Sequence, residues 1–177
     1  MRVIPTVLLL LLMNLQINQP LPTPIIVPIV EKVVVSDTIS ITYINNMKRN
    51  NPFNIRTSDA NRWVGKMPDN TEPFEKFSDL EYGLRAGFKL LHNYNKKYNI
   101  NTVRGIISKF APPTENNTAG YINRVCKNTG FEPDQPLDLH DKDTMVRLAK
   151  EMILVECNTD IPYSILETVY NKYFICT

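Results

Sequence analysis

The residues best equipped for chemistry in this chain are glutamates. Its two histidines, His92 and His140, stand in unrelated contexts, and its three cysteines, Cys126, Cys157 and Cys176, have no ligand spacing, so neither a metal nor another cofactor is expected. Nothing around Cys126 resembles an activated nucleophile that His140 would serve, and the cysteines read as buried thiols. Three glutamates are candidate proton donors. Glu156 comes first: it falls near the C-terminal end of an amphipathic stretch that starts at Asp141. There the negative end of the helix dipole disfavours an ionised carboxylate and keeps the proton available for donation. Glu115 comes second, from the loop Pro112-Pro113-Thr114-Glu115-Asn116-Asn117-Thr118, because loops on rigid scaffolds often carry function. Glu81 comes third, since its spacing from Ser78 makes a capping box that already accounts for it.

The elements that position these residues are mostly helical. Leu80, Leu84, Phe88, Leu91 and Tyr98 recur at helical intervals behind the Ser78/Glu81 box and predict a helix over 79–98. Asn101 is placed to cap a second helix whose apolar face is Val103, Ile106, Ile107 and Phe110, and Pro112-Pro113 stops it. Thr118 is placed to cap a third, carrying Tyr121, Ile122 and Val125 and ending near Gly130. Asp141 opens a fourth, with Met145, Leu148, Ala149, Met152 and Ile153 inward, and a fifth is expected over 164–174. Turn residues and prolines make 50–77 an irregular stretch with short strands. The fold class is therefore mainly α (α+β), a helical body with a small irregular β lobe.

At 177 residues there is room for one compact domain, 45–177, and an N-terminal appendage. A net charge of +2, with the basic residues dispersed, argues against nucleic acid as the main partner and is compatible with an anionic cell wall. Residues 1–19 carry one positive charge ahead of a short apolar run, Val3 to Leu12, without a small-x-small cleavage site. They read as an uncleaved membrane-associating anchor, with a cleaved signal or an arm packed on a partner protein as alternatives. Residues 20–44 form a proline-rich spacer, Pro20 to Pro28, and then two valine- and isoleucine-rich segments, 29–35 and 38–44, with strand character.

Several segments, taken in order, carry a resemblance. These are Asn50-Asn51-Pro52-Phe53-Asn54-Ile55-Arg56, Trp63-Val64-Gly65, Phe74 to Phe77, Glu81-Tyr82-Gly83-Leu84-Arg85-Ala86, the loop from Phe110 to Thr118, and Tyr121-Ile122-Asn123-Arg124-Val125. The region from about 48 to 160 resembles the lysozyme-like, peptidoglycan-cleaving proteins carried by bacteriophage particles. Phe53 stands where that family usually has glycine, which bears on the turn geometry, and Cys157-Asn158 where Asn-Gly commonly follows the final glutamate, which bears on catalytic competence.

The resemblance implies a lysozyme-like domain that cleaves the glycan strand as a lytic transglycosylase or muramidase. Lysozyme-like folds place the acid at the end of a core helix facing the hairpin lobe, which favours Glu156 over Glu115 and Glu81. The family's catalytic helix would precede Asn51, where this chain reads as strand, so the resemblance implies a rearranged order in which a later helix fills that position. Tyr121 is similar to the tyrosine that supports the acid. Asn116, Asn117, Asn54 and Arg56 offer hydrogen bonds to N-acetyl groups and sugar hydroxyls, and Trp63 a face for stacking. Turn formation or a place in the core accounts for each of these equally well. The partners implied are bacterial peptidoglycan and viral membrane or capsid proteins. The location implied is the virion, attached through the N-terminus, with action at the cell wall or periplasm. The alternative on the same scaffold is a non-catalytic virion structural or wall-binding protein.

Overall fold

In the computed structural model, the structure describes residues 48–68 and 73–175, which fall within one compact unit. The expected anchor, proline-rich spacer and paired strands of 1–44 lie outside the described residues, as does Cys176. The described chain is mainly helical with one small sheet. A short 3-10 turn, Lys48–Asn50, leads into β1 (Lys66–Met67) and β2 (Lys76–Phe77). These pair antiparallel, Lys66 opposite Phe77 and Met67 opposite Lys76, and an isolated bridge joins Arg56 to Phe74.

Five α-helices follow: α1 (Leu80–Tyr98), α2 (Val103–Phe110), α3 (Thr118–Thr129), α4 (Lys142–Cys157) and α5 (Tyr163–Tyr170), the last continuing as a π-helical turn, Asn171–Ile175. All five expected helices are present, but three begin on a different cap. Asp79, not Ser78, caps α1, its carboxylate accepting from the Glu81 N–H at 2.8 Å. Ser78 is drawn into the lobe, where its N–H donates to the Gly65 carbonyl oxygen. A charged cap also suits the positive end of the helix. Thr102 rather than Asn101 caps α2, and Asn117 rather than Thr118 caps α3. The Thr118 hydroxyl instead donates to the Ala111 carbonyl oxygen at 2.6 Å, tying the ends of α2 and α3 together. Asp141 caps α4 as expected.

α4 packs against both α3 and α5, while α1 lies against α5 and touches α4. Met145, Leu148, Ala149, Met152 and Ile153 are fully buried on α4, which makes it the centre of the core. Burial of such apolar side chains contributes roughly 1.5–3 kcal/mol each before the entropy of ordering is subtracted. Among the described residues no helix is long and apolar enough to cross a membrane.

The Asn50–Arg56 turn lies against α1 because α1 carries two glycines there. A Cβ on Gly83 would stand 1.9 Å from the Asn50 carbonyl oxygen, and one on Gly87 would stand 2.1 Å from the Phe53 ring. Phe53 is completely buried. The positive φ values in this turn fall on Asn50 (53°) and Asn54 (46°), not on Phe53, so position 53 does not require glycine. The departure from the motif is absorbed by packing a ring into the space above Gly87. The second departure is absorbed in a similar way: Asn158, at φ 50°, takes the left-handed position that ends α4.

A candidate acid in a polar cleft

Asn51 holds the turn in place. It is 2% exposed, donates to the carbonyl oxygens of Ile55 and Glu75 at 3.0 Å, and accepts from the Ile55 N–H at 3.0 Å. With Asn51 anchored and Asn54 in the left-handed region, the Asn54 side chain points at the end of α4. Its Nδ2 donates to the Glu156 carbonyl oxygen at 2.7 Å and to the Glu156 carboxylate at 3.3 Å. One amide thus satisfies a helix-end carbonyl and touches the carboxylate of the same residue.

Glu156 is half-buried, and burial pushes its carboxyl above the usual range, while the Asn54 hydrogen bond and the nearby Tyr121 hydroxyl offset part of that rise. No cation pairs with it among the described residues. Tyr121 is buried on α3, and its hydroxyl donates to the Met152 carbonyl oxygen at 3.3 Å, one turn before Glu156. Burial first, and then the charge of Glu156, hold this phenol protonated far above neutral pH. Glu156 and Tyr121 open onto a cleft of about 370 Å³, completed by Asn116, Asn117, Gly120, Arg124 and Val155.

The other expected residues divide around this cleft. Asn117 lines it but uses its side-chain oxygen to accept from the Gly120 N–H at 3.1 Å, and Asn116 donates to the Pro112 carbonyl oxygen at 3.2 Å. Glu115 does not line the cleft; its carboxylate meets the Arg56 guanidinium at 2.8 Å, both side chains being well exposed. Such a pair is worth little to stability. Glu81 does not line it either, and with Asp79 as cap it plays no part in a capping box. Its carboxylate accepts from the Tyr173 hydroxyl and, at 2.9 Å, from Lys172. Burial there raises its pKa, but those two donors outweigh it and the net shift is downward, toward the ionised form. Trp63 packs on the core from the β lobe, its indole N–H buried, and is not part of the cleft wall. Both described cysteines are free, with thiols pushed up by burial, so neither is an activated thiolate.

Two features were not singled out from the sequence. Arg124 lines the cleft as an exposed cation without a carboxylate partner among the described residues. Its signal was present, because Asn117, Gly120, Tyr121 and Arg124 follow one another at i, i+3, i+4 and i+7 and so share a helix face. Glu75 is more deeply buried than Glu156, at 2% exposed, yet it accepts from Lys66 at 3.0 Å and from the Ser58 N–H at 3.3 Å. A carboxylate held that way is a structural ion pair of the lobe. Glu151 on α4, 8% exposed, also has no cation partner among the described residues and accepts from the Asn128 amide at 2.7 Å, but it does not line the cleft; what sets Glu156 apart is burial without a cation partner on the cleft wall.

No family model matches the chain. Protein P5 of Pseudoalteromonas phage PM2 is 36% identical over 121 residues, spanning 67% of this chain and 73% of the phage protein. With identity at that level over most of both sequences, the chain belongs to the family of this phage protein.

Proposed function

We propose that this protein cleaves the glycan strand of peptidoglycan as a virion-associated phage protein, with Glu156 as the proton donor. The observation that carries the reading is Glu156 itself. It is a half-buried carboxyl raised in pKa, without a cation partner, at the end of the core helix α4 and open to a polar cleft. Cleavage of a glycosidic bond needs a group that is still protonated at working pH and positioned at the leaving oxygen.

Two-carboxylate mechanisms place a second acid about 5–9.5 Å from the first. Among the described residues lining the cleft, Glu156 is the only carboxylate, which favours single-acid chemistry of the lytic transglycosylase type. In that reaction Glu156 gives its proton to the glycosidic oxygen as the C–O bond breaks. The C6 hydroxyl of the same muramyl sugar then attacks the anomeric carbon and returns its proton to the carboxylate, so the acid is regenerated and the product ends in a 1,6-anhydro ring. Tyr121 positions the carboxyl, and Asn116 and Arg124 are available to hold the sugars and their acidic substituents.

The test is product analysis on purified peptidoglycan. Anhydro-muramyl ends are expected from the parent protein, and Glu156→Gln should lower turnover by about a hundredfold or more with wall binding retained. Reducing ends would shift the reading to hydrolysis. Release of no fragments by a parent protein that binds the wall would establish the non-catalytic alternative.

A further inference from the structure

A second pocket, of about 730 Å³, lies along α1 away from Glu156. Arg85, Lys89, His92 and Lys96 stand at i, i+4, i+7 and i+11, one face of the helix, and His140 closes the pocket from the loop ahead of α4. The two imidazoles lie 5.1 Å apart, with the Phe174 ring tilted 31° to His92 at 5.0 Å. Among the described residues no carboxylate pairs with Arg85, Lys89 or Lys96. Of the acidic groups nearby, Glu81 is paired with Lys172 and Tyr173, while Asp138 and Asp141 keep their charge, accept from the His140 and Thr144 N–H groups and do not line the pocket.

We propose that this pocket binds a phosphate-bearing anion, a phosphodiester or pyrophosphate group lying along the α1 cations. From Arg85 to Lys96 the helix rises about 16 Å, too long for a single carboxylate to neutralise and suited to a group with several oxygens or a repeating phosphate. Arg85 supplies a fork of donors, with its guanidinium 5.1 Å over the Tyr173 ring, and the lysines supply point charges. The His92 pKa falls to about 4, chiefly through burial, with His140 and Lys89 adding to the shift. His92 is therefore neutral at physiological pH, and a bound anion would push its pKa back up.

Because His92 and His140 are the only histidines in the chain, their ring signals report on this pocket alone. Titrating the full-length protein with inorganic pyrophosphate at constant ionic strength should shift both sets of ring signals saturably and raise the pKa of His92. Lys89→Gln with Lys96→Gln should weaken that binding about tenfold or more. An equal response to chloride, a shift that does not saturate, or an unchanged affinity in the double variant would overturn the proposal. Vesicles of phosphatidylglycerol and phosphatidylethanolamine then separate the sources. Sedimentation with them that the double variant loses identifies a lipid headgroup, and pyrophosphate binding without such a loss identifies a soluble or polymeric phosphate.

Discussion

Glu156 illustrates how a residue suited to proton donation weakens the fold that holds it. Its carboxyl is raised in the folded state, so between its ordinary value near 4.5 and its folded value the native protein holds more protons than the unfolded chain. Stability therefore falls as pH rises through that window. Glu156→Gln should raise the unfolding midpoint at neutral pH, with the advantage vanishing below about pH 4.5, as followed by thermal unfolding across pH. Asn54 acts in the opposite sense, because its hydrogen bond favours the ionised carboxylate. Asn54→Ala should push the Glu156 pKa further up and, under the proposed activity, shift the alkaline limb of a pH–rate profile to higher pH. It should also cost about 1 kcal/mol through loss of the bond to the helix-end carbonyl. A profile that stays in place would show that the Asn54 contact does not tune the acid.

At the scale of elements, the decisive contact is between α1 and the turn that carries Asn54. Gly87 and Phe53 are complementary in volume, a missing side chain under a ring. Gly87→Ala should destabilise by about 1–3 kcal/mol, since the new methyl overlaps a fully buried ring that has nowhere to retreat. Phe53→Gly should cost about 3–5 kcal/mol through the cavity it opens, yet in that background Gly87→Ala should become neutral or favourable, because alanine is the better helix former. A double-mutant cycle in urea measures the coupling, and additive effects would mean the two do not share the site. The cycle also tests the Glu156 cleft, since a shifted turn carries Asn54 away from Glu156.

For the whole molecule, acid should be the first stress to tell. His92 is depressed to about 4 in the native state against an ordinary 6.5, so between those values the unfolded chain binds the extra proton. The stability associated with His92 is complete above pH 6.5 and lost as pH falls to 4, and His92→Phe should flatten that slope in urea melts. A second expectation concerns autonomy. Every described helix and the sheet lie beyond residue 45, so 45–177 alone should unfold in one cooperative step. A broad, non-cooperative transition would mean that the N-terminal segment completes the core.

The sequence alone determined the features with short range: five helices, most of their apolar faces, the stop at Pro112-Pro113, and Glu156 at the end of the fourth helix; Tyr98, expected inward at the end of α1, is 57% exposed. These depend on spacing and on local hydrogen bonding, which a linear pattern records. It read the caps less well, because Ser78 and Asp79, Asn101 and Thr102, or Asn117 and Thr118 are all capable caps. The choice between neighbours falls to contacts such as Ser78 with Gly65 or Thr118 with Ala111. Tertiary structure alone decided which partly desolvated glutamate without a cation partner faces the cleft: Glu151 also lacks one, but it is buried against Asn128 away from the cleft wall. Glu115 and Glu81 meet basic side chains from distant stretches, Arg56 and Lys172, and Glu75 meets Lys66 across the small lobe, whereas Glu156 meets an asparagine 102 positions away. A carboxyl's proton affinity is set by burial and charge within a few ångströms, and those neighbours are assembled only when α4 is packed between α3 and α5 and the Asn50–Arg56 turn seats on the glycines of α1.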